Sequence, residues 1–256
     1  MIQSVQKALR LLSILADCDG KPIRLGELAV RAGLPKPTCS HLIATLEAEG
    51  FAVRISHSNG YVLGPAAYCL SRFGRYKSEL INVCRPVLQY LHQHLGYTVI
   101  LAVIDSKSKY IIDCIDSGNT YEKKARIRAD DIYRTATGRV ILANFDEDDQ
   151  RHIFDKYGAP KKGEWEEVTS FETMVQQLAL IDPRGICCTY HPGRQPQTLA
   201  FGYGAAVFDR HGCCGAIGVS VPVAQAQTAT FAEEDARIRK LIERGAAEIN
   251  RRLQQS

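Results

Sequence analysis

The chain has 256 residues, 45% hydrophobic and 23% charged, a composition typical of a globular protein with one large or two modest domains. No run of about 18 apolar residues occurs, so we expect no membrane-spanning helix. The first 75 residues carry nine Lys or Arg and five acids, a net charge of +4, whereas the rest carry 23 of each sign. This asymmetry predicts that the first part meets a polyanion.

Nine cysteines are scattered along the chain, an odd number that argues against a disulfide framework and for a reducing, cytoplasmic location. The N-terminal segment has no A-x-A-like cleavage site, so we expect no secretion signal. Two vicinal pairs, Cys187–Cys188 and Cys213–Cys214, fall in strand-like runs. Neighbouring strand side chains point to opposite faces and do not converge on one zinc ion. We therefore expect no metal and no cofactor, and a thiol redox sensor remains an alternative.

The first elements of the chain have helical spacing. A helix is predicted before the turn at 17–20, with an apolar stripe made by Val5, Leu9, Leu12, Ile14, Leu15 and Ala16. A short extended segment at 23–25 leads into a second helix over Leu25 to Ala32. Gly33 follows, a residue type suited to the left-handed C-cap of that helix.

A third helix is predicted from about Pro37 to Glu49. Proline is tolerated in a first helical turn because its missing amide would have no partner within the helix. The buried stripe of this helix is formed by Cys39, Leu42, Ile43 and Leu46. Two helices joined by a short turn, the second beginning with small polar residues, are typical of a helix-turn-helix whose second helix enters the DNA major groove. We expect DNA contacts from Lys36, Thr38, Ser40, His41 and Thr45.

Two strand-like runs, at 51–55 and 61–63, flank an Asn-Gly-containing turn. A hairpin after three helices indicates the winged form of the motif. In that form Arg54, His57 and Asn59 reach a flanking groove or phosphates. A three-helix packing module would use the same helices and is the structural alternative.

The remainder of the chain alternates between strand-like and helical segments. Helices are predicted at 65–73, 78–94, 138–144, 147–157, 170–181 and 231–254. Strands are predicted at 98–104, 110–115, 125–128, 185–190, 199–208 and 214–221. The turns Asp105–Ser108 and Asp209–Gly212 fit hairpins of an antiparallel sheet. Together these elements predict an α+β fold with one face of the sheet covered by helices.

The sequence resembles the IclR-type bacterial transcriptional regulators over nearly its whole length. The similar segments are SVQKALRLLSILA, LGELAVRAGLPKPTCSHLIATLEAEGF, GYVLGP, RPVLQYL, RTATGRVILA and AIGVSVP. The resemblance implies a winged helix-turn-helix DNA-binding domain at 1–64, a linker helix at 65–75, and a GAF/PAS-like effector-binding and oligomerisation domain at 76–256. It also implies dimers that associate into tetramers.

The chain departs from the family pattern in the helix that reads DNA. The family commonly has Ser-Thr-Val-x-Arg where this chain has Pro37–His41. Arginine makes the bidentate contact with guanine that is commonest in the major groove, and the imidazole of His41 does not. The family's operator sequences are therefore not expected to carry over.

The resemblance also implies an effector site at the segment Arg134–Arg139, before an apolar helix. A helix start has free backbone amides that suit an anion, and Thr135 and Thr137 add hydroxyls; N-capping by one of them is the alternative. The family's ligand-contacting amides become those of Ala136 and Thr137. The expected effector-site residues are Thr135, Ala136, Thr137, Gly138, Thr189, Tyr203, Gly218 and Ser220.

The second wall of this site lacks an acid that the family often has, and Tyr190, His191 and Tyr203 lie near its place. A phenol and an imidazole in place of a carboxylate favour an anionic or aromatic effector.

No G-x-S-x-G, H-E-x-x-H, P-loop or G-x-G-x-x-G motif occurs, so we expect no enzyme. The interpretation is a cytoplasmic, ligand-responsive transcriptional regulator, a repressor or an activator of a catabolic operon. Its expected partners are double-stranded operator DNA, a small organic effector of carboxylate or aromatic type, and further copies of itself, with no membrane. The alternatives are a metabolite-binding protein that acts through protein partners and a cysteine-based redox sensor.

Overall fold

A computed structural model of the protein describes residues 2–18, 20–56, 58–73, 76–116, 131–191, 200–222 and 231–255. These residues divide into two compact units, one up to Tyr76 and one from Lys77 onward. Within these ranges, none of the helices combines the length and the apolar character that crossing a membrane requires.

The first unit is a winged helix-turn-helix, as predicted. Its elements are α1 (Gln3–Ala16), β1 (Ile23–Arg24), α2 (Leu25–Ala32), α3 (Lys36–Ala48), β2 (Ala52–Ile55), β3 (Gly60–Leu63) and α4 (Pro65–Phe73). The three strands form an antiparallel sheet in the order β1-β3-β2. Helices α1, α2 and α3 pack around a core that includes Leu11, Leu15, Leu28 and Ile43.

The buried face of α1 differs from the predicted stripe. Leu11 and Leu15 are buried, whereas Val5 and Leu9 are 52% and 58% exposed. Leu11 and Leu15 are four residues apart and so share one helical face, and the neighbouring elements cover that face rather than the one bearing Val5 and Leu9. The prediction was wrong for Val5 and Leu9 because both faces of α1 are apolar.

Two turns of this unit have the backbone conformation that their residue types predicted. Gly33 caps α2 in the left-handed conformation, with φ +62°, and its amide donates to the carbonyl of Val30. Asn59 has φ +50° at the tip of the β2–β3 hairpin, a conformation that asparagine tolerates better than most residues.

The second unit is built on a five-stranded antiparallel sheet in the order β5-β4-β8-β7-β6. Its strands are β4 (Thr98–Asp105), β5 (Ser108–Ile115), β6 (Ile186–His191), β7 (Ala200–Asp209) and β8 (Gly212–Pro222). Its helices are α5 (Ser78–Leu95), α6 (Ala136–Leu142), α7 (Glu147–Tyr157), α8 (Phe171–Ala179) and α9 (Phe231–Gln255). The α+β class with an antiparallel sheet is thereby confirmed, and the predicted strand at 125–128 lies outside the described residues.

Helices cover both faces of this sheet, whereas the sequence predicted one covered face. Leu88 of α5 and Ile242 of α9 pack on the face that bears Val219. Val140 of α6 packs on the opposite face, against Ala206. We call these the α5 face and the α6 face. The prediction was wrong because the runs of β4 and β8 are apolar on both sides, which two covered faces require.

Candidate DNA-binding surface and effector site

Helix α3 carries the predicted DNA-reading residues on its outer side. Cys39, Ile43 and Leu46 are buried in the core of the first unit. Because they occupy the inner face, the remaining polar positions turn outward. The structure leaves Lys36, Ser40, His41 and Thr45 exposed and Thr38 half-buried. Their assignment to DNA stays a prediction.

The start of α3 is electrostatically open to an anion. No acidic residue lies in its first turn, and its N-cap, Pro35, supplies no side-chain hydrogen bond to the helix amides. The helix dipole places partial positive charge at this end, and Lys36 adds a full charge. A phosphate oxygen is the kind of group that suits such an end.

The wing adds a second basic position. The Nη2 of Arg54 donates to the Oδ1 of Asn59 at 2.9 Å, and both residues are exposed. This hydrogen bond restricts the long Arg54 side chain at the hairpin tip. His57, the third predicted wing residue, lies outside the described part of the chain.

In the second unit, the start of α6 lies directly against two glycines of the sheet. A Cβ added to Gly204 would lie 2.7 Å from the backbone nitrogen of Thr137. A Cβ added to Gly218 would lie 2.5 Å from the Cγ2 of Thr137. The glycines therefore allow the backbone of α6 to approach β7 and β8 closely.

Beside this contact, three residues with hydroxyl groups and one glycine are aligned across four neighbouring strands. Thr98 pairs with Ser220, Ser220 with Gly202, and Gly202 with Thr189. Directly paired residues of an antiparallel sheet share a face, and Ser220 follows Gly218 by two residues, so the row lies on the α6 face. We call Thr98, Ser220, Gly202 and Thr189 the hydroxyl row.

Thr137, in the first turn of α6, has a buried hydroxyl group that makes no hydrogen bond among the described residues. Its side chain is 2% exposed, and its Oγ1 has no hydrogen-bond partner among the described residues. A buried hydroxyl without a partner costs on the order of 1–3 kcal/mol, so this atom suits a bound ligand.

The hydroxyl of Thr135 is fully used within the protein. Its Oγ1 accepts hydrogen bonds from Lys109 Nζ at 2.6 Å and from the amide of Gly138 at 3.2 Å, and donates to the carbonyl of Asp131. The N-cap alternative therefore applies to Thr135. The Thr135 hydroxyl and the Gly138 amide are therefore paired within the protein, and the assignment of these two residues to the effector site stays a prediction. Gly138 itself is required because a Cβ there would meet the carbonyl of Ile132.

Lys109 is a buried cation that the sequence did not single out. It is 1% exposed, and its Nζ lies 2.8 Å from the Oδ1 of Asp131. Burial lowers the pKa of Lys109, and the carboxylate of Asp131 partly offsets that effect. The pair ties the loop before α6 to β5. A lysine beside a predicted turn would normally be expected on the surface, so no local signal marked it.

Tyr203 does not belong to this site. It is 2% exposed on the α5 face, and its hydroxyl donates to the Oδ1 of Asp235 on α9 at 2.7 Å. Its neighbours Gly202 and Gly204 face α6 instead, because successive strand residues alternate. The prediction was wrong because the pattern of β7 does not reveal which face α6 covers. The ring of Tyr190 packs on Phe201, at 5.1 Å between centroids, also beside the α5 face.

Among the cysteines of the second unit, Cys84 and Cys187 are buried and the others are partly buried. Burial raises the pKa of Cys84 and of Cys214 to about 12, and that of Cys187 to about 11. Thiols with raised pKa values are poor nucleophiles at neutral pH. Among the described residues, no group of three or more His, Cys, Asp or Glu side chains is arranged to hold a metal ion.

Comparison with protein families identifies both units. The family model described as the IclR helix-turn-helix domain matches residues 4–56, and the model described as the bacterial transcriptional regulator IclR C-terminal domain matches residues 76–251. The chain belongs to the IclR family. The resemblance seen in the sequence is thereby confirmed, and the family is one of bacterial transcriptional regulators.

Curated IclR relatives are similar at a moderate level. The transcriptional repressor IclR of Escherichia coli K12 is 26% identical over 160 residues, which cover 61% of this chain and 58% of that protein. The regulator KdgR of the same organism is 27% identical over 237 residues, covering 91% and 85%. The match thus spans less than two thirds of the first of these relatives.

Solved IclR structures share the fold. An IclR homologue from Microbacterium hydrocarbonoxydans, complexed with 4-hydroxybenzoate, has a TM-score of 0.71 and 19% identity, covering 99% of this chain and 100% of that one. The IclR protein of Thermotoga maritima has a TM-score of 0.66 and 19% identity, covering 99% of both chains.

Proposed function

We propose that this IclR-family protein is a DNA-binding transcriptional regulator whose affinity for an operator is set by a small organic effector. The observation that carries the proposal is the outward first turn of α3, basic and free of acids, in a helix-turn-helix. The wing adds a second exposed basic position, Arg54, hydrogen-bonded to Asn59.

We place the effector on the α6 face, between the start of α6 and the hydroxyl row. The unpartnered hydroxyl of Thr137 and the side chain of Ser220 offer hydrogen bonds there. Hydroxyl groups donate to carboxylates and phenolates and accept from phenols, so a carboxylate or aromatic effector fits. The homologue solved with 4-hydroxybenzoate supports this chemical class.

The response follows from linkage between the two sites. An effector that favours one arrangement of the DNA-binding units over another changes DNA affinity, and a coupling of about 1–3 kcal/mol corresponds to about 5–150-fold. Because operators of helix-turn-helix proteins repeat with two-fold symmetry, we propose at least a dimer in the cytoplasm. The family consists of regulators, and the proposal contains no catalytic step.

The deciding experiment is fluorescence anisotropy with the DNA upstream of the protein's own gene. We expect specific binding that exceeds binding to a scrambled fragment of equal length. Titration of 4-hydroxybenzoate and related carboxylates and amines should then change the affinity. Equal binding to both fragments at low salt would contradict the DNA role. Binding of carboxylates without any DNA binding would favour the alternative, a metabolite-binding protein that acts through protein partners.

The effector site has its own test. Thr137→Phe should abolish the response to an active ligand, because it removes the unpartnered hydroxyl and puts a ring between α6 and Ser220, where we propose that the ligand binds. DNA binding that persists without ligand shows that the variant is folded. Tyr190→Ser is the matched control, since Tyr190 lies beside the α5 face at the same end of the sheet. A normal response in Thr137→Phe would move the site elsewhere.

A further inference from the structure

Lys77 is held in a conformation that few residues adopt. It precedes α5 with φ +45° and ψ 36°, in the left-handed region. A non-glycine residue stays in this region when its surroundings over-determine it. Lys77 is also the residue at which the second unit begins along the chain.

A hydrogen bond explains how this conformation is supported. The Nζ of Lys77 donates to the backbone carbonyl of Cys214 on β8 at 3.2 Å. From Leu80 onward, α5 is fixed by packing in the core of the second unit. The turn at 77–79 lies before that anchor, so its position depends on the bond to β8.

Space is available beside this bond. A pocket of about 390 Å³ lies between the start of α5 and the β7–β8 turn, and it is lined by Lys77, Glu79, Leu80, Asp209, Arg210, His211, Cys214 and Leu253. Two acids and two permanent bases balance in this lining, so it does not select a ligand by charge. The space does allow the first turn of α5 to move without displacing closely packed atoms.

The same strand connects this bond to the effector site. Cys214 lies four residues before Gly218 and six before Ser220 on β8. β8 is paired with β7 from Gly215 and with β4 from Ala216 onward, and Cys214 lies at the register irregularity that directly precedes this stretch. A shift at the hydroxyl row therefore reaches Cys214 along the backbone of β8. The carbonyl that accepts from Lys77 moves with it.

We propose that Lys77 is the positioning residue that transmits occupation of the effector site to the chain segment between the two units. The inference rests on the proposed function. A ligand that displaces β8 removes the acceptor from Lys77. Without the bond, the left-handed conformation loses its support, and the first turn of α5 relaxes into the adjacent space.

Hydrogen exchange on the full-length protein tests this without a known effector. Gly218→Ala should displace β8 in place of a ligand, because the added Cβ would press on Thr137. Exchange at the amide of Ile81, which donates to the Lys77 carbonyl, should accelerate about five-fold or more in Gly218→Ala and in Lys77→Met. Adding Gly218→Ala to Lys77→Met should give no further increase. Ser220→Thr replaces Gly218→Ala if that variant does not fold.

Lys156→Met is the matched control. The Nζ of Lys156 also donates to backbone carbonyls, those of Ser106 and Lys107, and it lies far along the chain from the junction. In the Lys156→Met protein, Gly218→Ala should accelerate exchange at the Ile81 amide as much as it does in the wild type. Additive effects of Lys77→Met and Gly218→Ala, or equal behaviour of the two lysine variants, would overturn the inference.

DNA affinity measured on the same proteins distinguishes a failure of the proposed DNA-binding function from a failure of the inference about Lys77. If the wild type binds DNA, Gly218→Ala should change its affinity, and Lys77→Met should suppress that change. If the wild type binds no DNA, the proposed function fails, while the exchange of Ile81 still decides whether Lys77 couples β8 to α5. If DNA binds and the exchange effects add, the inference alone is wrong.

Discussion

Two threonines near the start of α6 show how much depends on single atoms. Thr135 and Thr137 are separated by one alanine, yet the hydroxyl of Thr135 makes three hydrogen bonds and that of Thr137 makes none among the described residues. The first holds the loop before α6 together. The second is available for a ligand.

Valine substitutions separate these two roles. Thr137→Val should leave the free energy of unfolding unchanged or raise it, because an unsatisfied buried hydroxyl is replaced by a methyl group of similar shape. Thr135→Val should lower it by about 1–3 kcal/mol, because Lys109 loses an acceptor. Thermal unfolding without ligand measures both. Equal destabilisation by the two variants would contradict the assignment of Thr137 as unpartnered.

The thiols give a second prediction at this scale. Because burial raises the pKa of Cys84 and of Cys214 to about 12, iodoacetamide at neutral pH should alkylate the exposed Cys69 first and leave these two unmodified. In the unfolded chain these thiols ionise near pH 9.0, below their folded pKa values. The free energy of unfolding should therefore fall as the pH rises above about 9. Alkylation of Cys214 as fast as Cys69 would favour the redox-sensor alternative.

At the scale of elements, α6 and the sheet depend on glycine where backbones approach. Gly138 packs against the carbonyl of Ile132, and Gly204 against the backbone of Ala136 and Thr137. Neither residue has a positive φ, so the requirement is for space rather than for conformation. Gly26 in α2 has nothing within 4 Å of an added Cβ.

Alanine substitutions should therefore have opposite effects in the two helices. Gly138→Ala should destabilise the second unit by about 2 kcal/mol or more, because the added Cβ would overlap the carbonyl oxygen of Ile132. Gly26→Ala should stabilise the protein by roughly 0.5–1 kcal/mol through helix propensity. Urea unfolding measures both changes. A neutral Gly138→Ala would mean that α6 does not lie this close to its preceding loop.

At the scale of the whole molecule, charge is divided between the units. The net +4 of the chain lies in the first 75 residues, and the remainder is neutral. Such a division suits a protein in which one unit meets a polyanion and the other binds a small molecule.

The salt dependence of DNA affinity tests this division. Lys36→Gln and Arg54→Gln should each weaken binding to every sequence and flatten the slope of log K against log salt by about 0.9, the value expected for one lost phosphate contact. Arg210→Gln, an exposed change in the second unit, should leave the slope unchanged. An unaltered slope in Lys36→Gln would remove that residue from the DNA-binding surface.

Local sequence patterns were enough to predict most of the elements. The turn Asp105–Ser108, for example, forms the β4–β5 hairpin with Ser106 and Lys107 at positive φ. The effector site was predicted less completely. Thr98 was not recognised as a member of the hydroxyl row, because only the pairing of β4 with β8 places it beside Ser220.

The sequence by itself determined the helix-turn-helix, the antiparallel strands and the family, because these depend on spacing, turn chemistry and motifs within short segments. Only the tertiary structure decided which face of the sheet α6 covers, and with it that Tyr203 faces α9 while Gly202 and Gly204 face α6. It also decided that Lys109 is buried with Asp131. Strand register and helix docking depend on contacts between residues distant in the chain, and periodicity within a single strand is the same whichever face is covered.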